Sequence, residues 1–387
     1  MLIVTLLIAG FGVFSSRGTS KAHADTTWTP VWSEDFNGGT GTGVDPANWL
    51  YDTGTGWGTG EVENMTSSTA NVQQDGNGHL DITALRDGNG NWTSGRIETQ
   101  RSDFAAPVGG QLQVSASIEQ PNVSGAAAAG YWPAFWMLGA QYRVDRNWPN
   151  DGEIDTMEDV NGLSSVFGTL HCGVDPGGTC NETNGIGSGQ HACTGCQTGF
   201  HTYSVIVDRS VSPEQIRWYL DGANYFTISA NQVDATTWAN AVDHGFFIIL
   251  DLAMGGAFPN AFGGGPTSAT QSGVSMIVDN VQVSTSGGSG GTGGYSYIKN
   301  RNSGKVLDDT GWSTNDGTTI EQWDQGNGQA NQEWGLVSSD DGYYYIQNRN
   351  SGKVLDVTGW STDNGTTIEQ WDQGNGQANQ QWQVIAV

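Results

Sequence analysis

The chain has 387 residues, room for two domains, and carries 40 acidic against 14 basic side chains, a formal net charge of −26. That charge argues against nucleic acid and anionic membranes as partners, since both need a cationic face, and the absence of Lys between Asp25 and Ile298 excludes P-loop phosphate chemistry there. With 58 Gly, 16 Trp and only 14% charged residues, the composition fits short strands, tight turns and indole surfaces suited to neutral polymers.

Residues 2–14 form an apolar run too short to span a bilayer comfortably, and Ala22-His23-Ala24 then stands before Asp25 as a small-residue cleavage pattern. Residues 1–24 read as a secretory signal peptide, and the expected product is a secreted monomer with no membrane attachment once the leader is removed.

Between residues 25 and 283 the strand signals are many and short, at 79–85, 111–117, 203–208, 216–220, 246–250 and 275–283. Several alternate polar with apolar residues, and Gly/Asn turns separate them. No long helical pattern interrupts them. The expected fold class is all-β, an antiparallel sandwich.

Within this block lies Trp148-Pro-Asn-Asp-Gly-Glu153-Ile-Asp155-Thr-Met-Glu158. On a strand Glu153 and Asp155 share a face, and Glu158 falls on the other. One β-bulge, most simply at Met157, returns Glu158 to the face of its fellows. Acids are nearly excluded from a sandwich core unless paired, so this strand lines a cleft or faces solvent. Two carboxylates about 5–5.5 Å apart in a cleft would perform retaining glycoside hydrolysis; a calcium site or a solvated acidic edge are the alternatives. All four cysteines fall between 172 and 196. Cys172–Cys180 with Cys193–Cys196 is the favoured pairing, because each closes a small loop, and a zinc site is its rival.

Residues 284–294, Ser-Thr-Ser-Gly-Gly-Ser-Gly-Gly-Thr-Gly-Gly, read as a flexible linker. Beyond it, residues 295–387 are an internal repeat in which Tyr295 aligns with Tyr343. Both copies carry NRNSGKVLD, TGWST and GTTIEQWDQGNGQANQ. Short apolar bursts between turns give each copy the texture of a four-strand unit.

The larger block resembles glycoside hydrolase family 16, the laminarinase-like β-glucanases with a β-jelly-roll fold. The resemblance rests on Trp32-Ser-Glu-Asp-Phe, Gly56-Trp-Gly-Thr-Gly-Glu61, Ser94-Gly-Arg96-Ile, Trp132-Pro-Ala-Phe-Trp136, Gly152-Glu-Ile-Asp-Thr-Met-Glu158, Gly168-Thr-Leu-His171 and Trp218-Tyr-Leu-Asp-Gly222, in that order. It implies a catalytic domain over 25–283, with Glu153 as nucleophile, Glu158 as acid/base and Asp155 tuning the nucleophile. Trp132, Trp136 and Trp148 would stack on sugar rings, with core packing as the other reading of Trp136. Arg96 would bond sugar hydroxyls or Glu61 in the cleft, and His171 would sit beside the acid/base. The implied partner is a β-1,3-glucan polysaccharide cut internally, and no cofactor is required for catalysis. A structural calcium is implied at Asp279, where oxygen ligands suit the ion. A β-1,3-galactan or mixed-linkage glucan is the alternative substrate, and a non-catalytic β-glucan recognition protein the alternative function.

The repeats are similar to the ricin-type β-trefoil lectin repeat, marked by Gln332-Glu-Trp334 and Gln380-Gln-Trp382. Two copies supply a partial trefoil-like module. The resemblance implies sugar binding by Asp308, Glu321, Trp323, Asn331 and Gln332 in one copy, and by Asp356, Glu369, Trp371, Asn379 and Gln380 in the other. Trp334 and Trp382 read as framework.

Overall fold

A computed structural model describes residues 28–107, 109–287, 295–338, 343–374 and 376–383. The leader read over residues 1–24 and residues 288–294 of the linker lie outside them.

Alternation fixes the sandwich. In Gly110–Glu119 every second side chain is apolar, and Leu112, Val114, Ala116 and Ile118 are all buried on one face. That strand lies between His201–Asp208 and Val274–Gly287 near the middle of a ten-stranded sheet. Phe246–Met254 differs, being buried at all nine positions. It is central in an eight-stranded sheet, between Tyr131–Gly139 and Arg96–Thr99. One of its faces, with Ile248, Leu250 and Leu252, belongs to the core between the sheets. Its other face sets Phe247 and Ile249 with Leu138 in a separate apolar floor, against which Trp136 and Trp148 pack. The sheets are antiparallel but for the short pairing of Glu63–Met65 with Trp92–Ser94, the jelly-roll arrangement expected.

Two details depart from the sequence reading. An eight-residue helix, Ala235–Val242, forms behind Asp234, whose side chain accepts from Thr237 N at 3.0 Å. Ser284–Gly287, read as linker from composition, are instead the end of the strand Val274–Gly287, paired with residues 110–113 on one side. Trp28–Glu34 pairs along the other side of the same stretch. Two neighbours claim its backbone hydrogen bonds, which small polar side chains do not impede.

The repeats build a separate seven-stranded sheet. The first copy gives Ser296–Tyr297, Val306–Asp309, Thr318–Trp323 and Glu333–Ser338, the four strands expected. The second gives Tyr344–Asn348, Val354–Val357 and Ile368–Trp371, with Trp382 bridging back to Tyr344. Trp334 is buried and donates its indole N–H to Leu307 O at 3.1 Å, and Trp382 does the same to Leu355 O at 3.1 Å. Both are framework residues. No helix among the described residues is long and apolar enough to cross a membrane.

Candidate active site

The strand Glu153–Glu158 runs between Tyr131–Gly139 and Ser165–His171 in the eight-stranded sheet. Ile154 and Met157 point into the core. Along one neighbour Asp155 opposes Thr169, yet Glu158 opposes Phe167, so three steps on this strand match two on that one. The bulge is there, and it brings Glu153, Asp155 and Glu158 to one face. It does not centre on Met157. Along the other neighbour Asp155 opposes Trp136 and Met157 opposes Phe135, which makes Thr156 the extra residue. Met157 and Phe135 are both core side chains, and the cost of exposing either leaves the small Thr156 to take up the irregularity. The Asp155 carbonyl accepts from the buried indole of Trp218, on the opposing sheet, at 2.7 Å.

Gly152 prepares this strand. Its φ is +78°, and a Cβ there would stand 2.0 Å from Ala241 O of the helix behind it. The turn into Glu153 therefore needs glycine on both counts.

Each outer acid is held by an indole. Trp148 Nε1 donates to Glu153 at 3.0 Å, and Trp132 Nε1 donates to Glu158 at 2.8 Å. His171 faces Glu153 across the strand pair. Its Nε2 lies 3.3 Å from Asp155 Oδ2 and 3.8 Å from Glu153 Oε1, while its Nδ1 is 2.7 Å from Glu182 Oε2. His171 thus belongs with Glu153 and Asp155, not beside Glu158 as the sequence suggested, because strand register sets its neighbour. Burial, reinforced by the Asp155 charge, pushes the Glu153 carboxyl up to about 8 and the Glu158 carboxyl well above the usual range. Burial alone would lower the imidazole of His171, but its bonds to Asp155 and Glu182 outweigh that and raise it. His171 and Trp148 pull Glu153 back down, with Arg96 adding to them. Glu158 is likewise pulled back by the Trp132 hydrogen bond and by His171, against the same burial and Asp155 charge.

Further along the cleft Trp136 donates its indole N–H to Asp251 at 2.7 Å. Arg96 lies 4.7 Å over Trp136 and 4.7 Å over Trp57, and its Nε bonds Asp52 at 2.9 Å. Asp52, not Glu61, is thus its carboxylate partner. Asp52 N also bonds Arg96 O at 3.0 Å, so backbone pairing delivers that acid directly. Glu61 instead accepts from the backbone and hydroxyl of Thr59. It stands with Trp132 around Gly256, where a Cβ would lie 3.0 Å from the indole and 3.5 Å from the Glu61 side chain. Trp136 is half-buried, with one side on the apolar floor, which agrees with the core-packing reading of it. Asp52, Trp57 and Glu182 were not singled out from sequence. Asp251 carried a signal, an acid inside the apolar run 246–254; burial pushes it up to about 6.

The cysteines pair as favoured, Cys172 with Cys180 and Cys193 with Cys196. Cys193, Cys196 and His201 cluster within metal-ligand reach, but the two sulfurs are joined to each other. Glu153, Asp155 and His171 also cluster, and their polar atoms are engaged by one another, by Trp148 and by Glu182, which makes them an ion-pair network. Asp279 accepts from its neighbour Asn280 at 2.7 Å and joins no group of three such ligands among the described residues. Its side chain alone is too thin a donor set to argue calcium.

In the repeats the two residue sets do assemble. Asn331 and Gln332 donate to the two oxygens of Asp308 at 3.1 and 2.7 Å, and Asn379 and Gln380 to those of Asp356 at 2.9 and 2.9 Å. Glu321 and Glu369 stand across the strand pair from those acids. Two residues on, Trp323 and Trp371 are 58% and 43% exposed.

Comparison with known proteins matches two families. The XgeA-like catalytic domain of glycoside hydrolase family 16 matches residues 121–205, and the ricin-type β-trefoil lectin domain-like family matches residues 282–371. The chain is 32% identical over 295 residues to glucan endo-1,3-β-glucosidase A1 of Niallia circulans, which covers 69% of this chain and 39% of that one. It therefore spans about two fifths of the length of that curated relative, 39%. It is also 32% identical over 267 residues to a glucan endo-1,3-β-glucosidase of Cryptopygus antarcticus, covering 65% of this chain and 88% of the relative. A crystal structure of endo-1,3-β-glucanase from Streptomyces sioyaensis superposes with a TM-score of 0.66 at 58% identity, covering 69% of this chain and 99% of that one.

Proposed function

Because the chain belongs to glycoside hydrolase family 16, we propose that it cleaves internal β-1,3 bonds of glucans such as laminarin, with retention of anomeric configuration. The observation that carries this reading is the bulge at Thr156, which sets Glu153 and Glu158 on one face of the sheet with Asp155 between them.

Glu153 attacks the anomeric carbon, forming a glycosyl ester as the glycosidic C–O bond breaks. The Glu158 proton passes to the departing oxygen. Glu158, now a carboxylate, takes a proton from water, whose oxygen attacks the anomeric carbon and releases Glu153. The two indole donors hold the acids in place. His171 supplies positive charge on the nucleophile's side, which opposes the rise that burial imposes on Glu153.

Trp132 and Trp148 would carry sugar rings, Trp136 would border them with the exposed part of its ring, and Arg96, stacked on Trp136 and fixed by Asp52, would shape one end of the cleft. The repeats would hold the polymer through Trp323 and Trp371, whose exposed faces suit glucosyl rings beside the fixed Asp308 and Asp356 sets. Two disulfides suit an exported protein.

Reducing-end release from laminarin by the parent and by E153Q tests this reading, with NMR of the first-formed product. Activity in the parent alone, with β product formed first, is expected. Equal activity in both, or α product, overturns it.

A further inference from the structure

Glu182 follows the Cys172–Cys180 bridge, on a loop that returns to the strand bearing His171. Its side chain is fully buried. One oxygen accepts from the Cys172 backbone N–H at 2.8 Å, and the other takes His171 Nδ1 at 2.7 Å. A carboxylate acceptor at Nδ1 demands a proton there. It also fixes the ring plane, so that Nε2 points at Asp155 Oδ2, 3.3 Å away, and at Glu153 Oε1, 3.8 Å away. The short disulfide loop ties that acceptor back to the strand it serves.

We propose that Glu182 is a positioning residue for the hydrolysis, holding His171 as a doubly protonated bridge against Asp155 and Glu153. The proposal rests on the glucanase reading above. The acids facing the imidazole are Glu182 from the loop, Glu153 and Asp155 from the neighbouring strand, and Glu158 farther along it. Burial opposes a charged ring, and bonds to Asp155 and Glu182 override it. The cation persists below the raised pKa and is lost as pH climbs through it. Removing the Glu182 charge moves that loss to lower pH, and Glu153 then loses its cation earlier.

The test uses the full chain. Long-range 1H–15N spectra follow the His171 ring through a pH titration, with H171Q assigning the signal, and kcat and KM on laminarin are measured over the same range. In the parent both ring nitrogens should carry protons at neutral pH. In E182Q the ring should titrate about 1–3 units lower, and the acidic limb of kcat, set by ionisation of Glu153, should move up as its cation is lost, while KM changes little. Superimposable titrations and profiles for parent and E182Q overturn the proposal. Should E182Q not fold, the parent spectrum decides: a neutral ring at pH 7, or a bare Nδ1, overturns it. A parent that cuts no β-1,3-glucan sinks the glucanase reading, while the ring titration still decides the role of Glu182.

Discussion

The indole N–H of Trp218 donates to the main-chain carbonyl of Asp155 at 2.7 Å, reaching from one sheet of the sandwich to the bulged strand of the other. Gly168 makes room for it, since a Cβ there would stand 2.5 Å from the indole. The bond fixes the backbone between the two outer acids from beneath. W218F keeps most of the ring and strands the carbonyl. A buried carbonyl without its partner costs about 1–3 kcal/mol. Urea unfolding should show a loss of that order, and kcat on laminarin should fall with it. Unchanged stability would mean that the bulge does not depend on this contact.

The unequal surroundings of the outer acids predict unequal variants. E153Q should abolish turnover of every substrate, because no ester can form. E158Q removes only the proton donor and the later base. On laminarin it should lose about 10²–10⁴-fold. With a dinitrophenyl β-laminaribioside, whose leaving group needs no proton, ester formation should be largely spared. Added azide should then speed turnover and yield the β-glycosyl azide. An E158Q enzyme equally impaired on both substrates would remove the acid/base assignment.

Glu63 gives stability a pH dependence separate from catalysis. Burial pushes its carboxyl up to about 7. One oxygen accepts from Met254 N at 2.8 Å, and the other is buried with no hydrogen-bond partner. A raised carboxyl means that the folded chain holds a proton which the unfolded chain has released. Stability contributed by this group therefore falls as pH rises from the unfolded value toward 7, by at most about 1.4 kcal/mol per pH unit. E63Q stays neutral throughout. Its melting temperature should exceed the parent's at pH 8 by more than at pH 4. An identical gap at both values would show that Glu63 titrates normally.

Strand positions were legible because alternation is a local property. Gly110–Glu119 and His201–Asp208 contain the segments expected from their apolar spacing. The need for a bulge was legible too, since Glu158 has no other route to the face of Glu153. Its centre was not, because the choice between Thr156 and Met157 depends on Phe135, a residue of the neighbouring strand. The same reason hid the partners of Arg96 and His171. Asp52 is 44 residues from Arg96 in sequence, and register alone sets His171 against Glu153. Glu182 gave no signal at all, being one acid in a loop whose closure by Cys172–Cys180 was itself open. The helix Ala235–Val242 is too short for its periodicity to stand out, although Asp234 with Thr237 was a readable cap.

The two exposed indoles of the repeats should act together on insoluble polymer and hardly at all on short sugars. Each lies on a strand paired with the one bearing an acid whose oxygens are both fixed by amides, and an acid already held needs no rearrangement to receive a ring. They share one sheet, through the pairing of Thr318 and Thr319 with Gln370 and Glu369. A polymer engaged at one site therefore meets the other at high effective concentration. W323A or W371A alone should weaken retention on curdlan modestly. The double variant should lose far more than the two single losses combined would give for independent sites. Neither should alter kcat/KM on soluble laminaripentaose. Pull-down on curdlan beside kinetics on the pentasaccharide separates the outcomes. If W323A/W371A binds curdlan as the parent does, the repeats hold no glucan through these residues.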